Sequence, residues 1–123
     1  MKRILLAGLL CVGMVLAFAR ANQNQDLDPL KVAADTHKLA LENKFVRVLD
    51  VRLPPGKIEP MHSHPHGLSV YFTDWEANVT VQGGQPQVHP RKAGRFAWSE
   101  ALTHTVQNTS KTEAHVLRVE LKF

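Results

Sequence analysis

Three of the chain's seven histidines fall within five residues, in His62-Ser63-His64-Pro65-His66. Neutral imidazole binds divalent transition metals and also exchanges protons near neutral pH. Alternate side chains of an extended strand share a face, which puts His62 and His64 on one side, about 7 Å apart along the backbone and within reach of one ion. A third ligand must come from elsewhere. In His104-Thr105-Val106-Gln107-Asn108, His104 and Val106 share one strand face while Thr105 and Gln107 take the polar one, so His104 points inward. His62, His64 and His104 are the expected metal ligands, with a surface turn of solvated histidines as the alternative. Such a set suits iron, manganese, nickel, copper or zinc, and leaves positions open for water, dioxygen or a chelating substrate.

The other histidines read differently. His66 shares the parity of His62 and His64, but Pro65 and Gly67 mark a strand end and make it a rim residue. His115 alternates in phase with Leu117, Val119, Leu121 and Phe123, as a core or core-edge histidine does. His89, beside Pro90-Arg91-Lys92, reads as a solvated loop residue, and His37 precedes the fold. Glu59, just before Pro60 on the rim, is a possible orienting carboxylate, although strand parity puts it on the face opposite His62. Leu68, Val70 and Phe72 share a face and are expected to form an apolar wall beside the histidines. Tyr71, Phe96 and Trp98 are expected in packing, with an aromatic substrate pocket as the other reading.

The elements that position these residues are short strands. Lys38–Leu41, Val46–Leu53, Asn78–Gln82, Gln87–His89, Arg95–Trp98, His104–Asn108 and Ala114–Phe123 alternate, and Gly83-Gly84-Gln85-Pro86 signals a hairpin. Turns every eight to twelve residues and no long helix indicate an all-β antiparallel sandwich or barrel. Asn22 to Thr36 is polar; Asp28-Pro29 either opens one helical turn or continues a linker.

Residues 1–21 read as a cleaved signal peptide. Lys2 and Arg3 precede an apolar run from Ile4 to Phe18, with small-x-small cleavage positions at Ala17-Phe18-Ala19 and Ala19-Arg20-Ala21. The run is shorter than a membrane-spanning helix requires. The expected product is exported, periplasmic or secreted, with residues 22–37 as a linker, a single domain over 38–123 and no stable membrane anchor. Cleavage removes Cys11, the only cysteine, which excludes disulfides and cysteine-held metal from the mature chain. It also takes Lys and Arg from 15 to 12 against 11 acidic residues, so the formal charge falls from +4 to +1. Nothing in that balance calls for a nucleic acid or anionic membrane partner. A small molecule is the expected ligand, and pairing of edge strands in a homodimer is possible.

Two segments resemble the motifs of the cupins, small jelly-roll proteins with a double-stranded β-helix fold. Gly56, His62 and His64 match the first motif at its spacing, and Gly94, His104 and Asn108 match the second. The resemblance spans Leu39 to Leu121. Where a cupin's metal-binding glutamate is expected, this chain has Leu68, with Ser69 at the alternative spacing; Glu100 and Leu102 replace the usual proline and glycine. The resemblance implies a mononuclear metal site and, for three-histidine members, dioxygenase chemistry. Three readings follow: a metal-dependent oxidoreductase, a non-catalytic metal- or ligand-binding module, and a metal-free isomerase using His66 or His104 with Tyr71.

Overall fold

The computed structural model describes residues 26–123. The expected signal segment and its cleavage positions lie outside them. One helical turn, α1 (Pro29–Val32), precedes nine strands: β1 (His37–Glu42), β2 (Val46–Leu53), β3 (His62–His64), β4 (Gly67–Tyr71), β5 (Trp75–Val81), β6 (Gln87–Arg91), β7 (Phe96–Ser99), β8 (Leu102–Asn108) and β9 (Ala114–Leu121). They make two antiparallel sheets, ordered β1-β2-β9-β4-β7 and β3-β8-β5-β6, the expected all-β jelly-roll. Among the described residues no helix is long and apolar enough to cross a membrane.

Period-two alternation fixes which side of each strand meets the interior. In β2, Leu49, Val51 and Leu53 are buried while Arg52 faces out. The hairpin after β5 turns at Gly83, whose φ of 78° is costly for any residue with a Cβ. Asp28 caps α1, accepting from the Leu30 amide at 3.0 Å, and Pro29 begins the turn without wasting an amide proton. The polar stretch expected as a linker therefore contains an ordered turn. His37 does not precede the fold but opens β1, paired with Val51 and 2% exposed.

Two strand faces differ from the expected ones. In β9 the buried side is Ala114, Val116, Arg118 and Glu120, while His115, Leu117, Val119 and Leu121 are half-buried on the outer face of the sheet. In β4 the inward side chains are Ser69 and Tyr71, so Leu68 and Val70 are not the wall beside the histidines. Both surfaces of these strands carry apolar residues, which leaves alternation alone unable to choose between them.

The interior apolar groups are Leu49, Val51, Tyr71 and Val116 in one cluster and Leu53, Ala77, Val106 and Ala114 in another. Seven of these eight line a cavity of about 290 Å³. Protein interiors are otherwise packed nearly as tightly as organic crystals, so a space of this size between two sheets is a ligand site by default.

Gly67 begins β4, between β7 and β9, immediately after the histidine segment. A methyl group there would overlap the Val119 carbonyl oxygen on β9. Gly67→Ala is expected to destabilise the fold by about 1–3 kcal/mol, read as a lower urea midpoint at unchanged slope.

Candidate metal centre

The antiparallel register of β3 and β8 sets His62 directly opposite His104, and directly opposed residues in such a pair share a face. Their Nε2 atoms are 3.2 Å apart. Two nitrogens on one ion at about 2.1 Å lie roughly 3.0 to 3.4 Å apart, for octahedral and tetrahedral angles respectively. His64, two residues along β3, turns to the same side, with its ring 4.9 Å from that of His62 and 5.5 Å from that of His104. His37 approaches from β1 in the other sheet, and ligand atoms of His37, His62 and His64 all lie within 4.8 Å of one another. Four imidazoles thus converge between the sheets.

Hydrogen bonds on the far side of the rings orient their metal-facing nitrogens. His62 Nδ1 lies 2.7 Å from the Pro60 carbonyl oxygen, which only accepts, so Nδ1 carries the proton and Nε2 the lone pair. His64 Nδ1 donates to Glu120 Oε1 at 2.7 Å. Thr36 Oγ1 donates to Glu59 Oε1 at 2.8 Å and lies 3.0 Å from His37 Nδ1, from which it accepts. A ligating histidine is typically held in this way, its second nitrogen donating to a carbonyl, carboxylate or other oxygen. The donor set fits a borderline transition metal on its chemistry.

Glu120 belongs to a longer chain of contacts. Its Oε2 accepts from Arg47 Nε at 2.6 Å, and Arg47 Nη1 reaches the Asp28 carboxylate at 2.9 Å. The helix cap, β2, β9 and His64 of β3 are tied together by charge-assisted bonds. Arg47 and His64 hold the Glu120 carboxyl below its usual range despite burial, so it stays ionised as an acceptor.

Burial keeps the imidazoles neutral. It pushes His37 down to about 3, His62 to about 4 and His104 to about 2, each helped by a neighbouring imidazole, and it lowers His64 as well. Glu59 moves the other way: burial raises its carboxyl to about 7. It is 3% exposed, with Oε1 3.4 Å from His37 Nδ1 and Oε2 3.9 Å from His62 Nε2. Glu59 is therefore on the side of His62, not opposite it. Its amide bonds to the Val106 carbonyl, and the bend at Pro60-Met61 resets the strand parity before β3 begins.

These values give the metal-free protein a defined pH response. An unfolded chain takes up protons on its histidines below about pH 6.5, whereas the folded imidazoles stay neutral, so stability falls as pH drops through 6.5 toward the folded values. Glu59 opposes this between 4.5 and about 7, where only the folded state keeps its proton, but it is one group against four. Each buried imidazole weighs up to about 1.4 kcal/mol per pH unit. Chelator-treated protein is expected to melt more than about 10 °C lower at pH 5 than at pH 7.

The remaining histidines lie away from this cluster. His66 stacks on Trp98 with ring centres 5.8 Å apart, near Phe123, as a rim residue does. His115 donates toward Asp50 at 2.8 Å and stacks on the exposed Phe72, on the outer face of the sheet and not in the core. His89 is not in a loop; it lies in β6 opposite Ala77 and lines the cavity.

No family model matches the chain. A cupin domain protein from Bordetella pertussis superposes with a TM-score of 0.66 at 25% identity, over 71% of this chain and 92% of that one. Germin-like protein subfamily 2 member 3 of Arabidopsis thaliana is 28% identical over 107 residues, covering 83% of this chain and 49% of the plant protein. The chain belongs to the cupin superfamily. An RmlC-like cupin from Methanocaldococcus jannaschii, with a double-stranded β-helix fold, agrees in architecture at a TM-score of 0.57 and 17% identity, over 69% and 77% of the two chains. This cupin spans about half the length of its germin-like relative. Its departure from the first motif also has a structural counterpart: with Leu68 facing out and Ser69 neutral, the carboxylates beside the histidines are Glu59, which precedes the motif, and Glu120 on β9.

Proposed function

We propose that this protein is an exported metallocupin that holds one divalent transition-metal ion on His62, His64 and His104 and presents it to a small molecule in the cavity. The observation that carries the proposal is the 3.2 Å approach of two imidazole Nε2 atoms beside a third ring, all held neutral by burial. His37 supplies a further nitrogen at the edge of the set. When bound, the ion supplies Lewis acidity and, if it is iron, manganese or copper, electron transfer at its open positions.

The chain's own residues do the rest. The Pro60 carbonyl and the Glu120 carboxylate fix the ring planes of His62 and His64. Val51, Tyr71, Val106 and Val116 keep bulk water from the cavity walls. Glu59, buried 3.9 Å from His62 Nε2, is placed to hold or release a proton beside the site, which supports a catalytic role over a passive binding module.

Elemental analysis of tag-free protein tests the proposal. About one ion per chain is expected, and it should be lost in a His62→Ala/His64→Ala/His104→Ala variant that stays folded by circular dichroism. Equal metal in both proteins, or none in either after reconstitution, would overturn it.

A further inference from the structure

Three buried side-chain polar atoms among the described residues have no hydrogen-bond partner: Trp75 Nε1, Ser99 Oγ and Arg118 Nε. All three residues line the same cavity as the histidines. Buried donors are almost always satisfied, so three orphans around one hollow point to a missing acceptor.

Arg118 is the decisive member. It is 5% exposed and projects inward from β9. Its guanidinium offers five N–H donors, always charged. Two contacts use it: Nη2 donates to the Pro65 carbonyl at 2.7 Å and Nη1 to Ser69 Oγ at 3.3 Å. Its partner on β4 in the strand register is that same neutral Ser69. Glu120, the other inward charge of β9, is engaged by Arg47 and His64, and among the described residues no carboxylate pairs with Arg118. A buried guanidinium without an anion is costly, and a ligand that brings the anion removes that cost. The surrounding walls, Val51, Tyr71, Ala97, Val106 and Val116, are apolar.

We infer that Arg118 anchors the carboxylate of the small molecule that enters the cavity, with Ser99 and Trp75 as additional donors, so that the ligands are small organic acids with an apolar body. This rests on the cavity being a small-molecule site, as proposed above, but not on which metal is present. The cavity's other arginine, Arg91, lies over the Tyr71 ring at 5.1 Å and adds to the attraction for an anion.

The test uses benzoate and its neutral counterpart benzamide, titrated into both chelator-treated and metal-loaded protein. Calorimetry is expected to show benzoate binding at least about tenfold tighter than benzamide, the difference vanishing in Arg118→Met. Should that variant unfold, the wild-type protein still decides the matter: ¹⁵N NMR should show the Arg118 Nε–H resonance shifting with benzoate and not with benzamide. No benzoate binding in either form, equal binding of both probes, or an Nε–H resonance unmoved by saturating benzoate would each overturn the inference. Failure of the metal reading is seen separately, as absence of bound metal with Arg118-dependent benzoate binding intact.

Discussion

Alanine at His62 is expected to weaken binding of a divalent ion by more than about 100-fold, beyond the range typical of losing only a supporting partner. His62 is the hub of the cluster: its ring centre lies 4.9 Å from those of His37 and His64 and 4.7 Å from that of His104. Its tautomer is fixed by the Pro60 carbonyl, so it enters the site with Nε2 already prepared to donate. If the ion sits on the proposed His62, His64 and His104 set, His37→Ala should cost clearly less than His62→Ala, although ligand atoms of His37, His62 and His64 also lie within 4.8 Å of one another. Competition against a chromophoric chelator measures both. A His62→Ala protein that binds as tightly as wild type would remove the centre from this part of the fold, and a His37→Ala loss as large as that of His62→Ala would make the site a four-histidine one.

Glu120→Ala is expected to damage both stability and metal affinity. The carboxylate is 1% exposed and serves two partners, His64 Nδ1 and Arg47 Nε, and Arg47 also reaches Asp28 at the helix cap. Removing it strands a partly buried guanidinium and leaves the His64 ring without its orienting acceptor. The stability loss should be about 3–5 kcal/mol, the range for breaking a buried pair by deleting one partner. Metal affinity should fall by about 10–100-fold, the usual effect of removing a carboxylate behind a ligating histidine. Glu120→Gln keeps the shape and one acceptor oxygen and should lie between the two. Chemical denaturation with parallel metal titration separates these effects; a stability change below about 1 kcal/mol would mean that Arg47 and Asp28 hold the cap by themselves.

That His62, His64 and His104 turn to one side of the β3 and β8 pair was legible because the signals are local. His62-Ser63-His64 needs only strand parity, and the alternation around His104 survives in β8, where the register then brings it opposite His62. The boundaries of β2, Val46 to Leu53, follow directly from its alternation. Glu59 and His37 were not legible in the same way. A bend at Pro60-Met61 breaks the parity that would have assigned Glu59, and His37 is buried through contacts with Thr36 and Glu59, the latter distant in sequence. The inward face of β9 was hidden for a different reason. Arg118 and Glu120 resemble solvent-facing charges in sequence, and only the partners supplied by β2, β3 and β4 make an interior place for them.

The central claim, that one ion sits among these histidines, is tested most directly by crystals of protein loaded with cobalt and measured at the cobalt absorption edge. The expected result is a single anomalous peak per chain, about 2.1 Å from the Nε2 atoms of His62, His64 and His104. A peak only at His66, His89 or another surface group, or no peak from protein saturated with cobalt in solution, would contradict it.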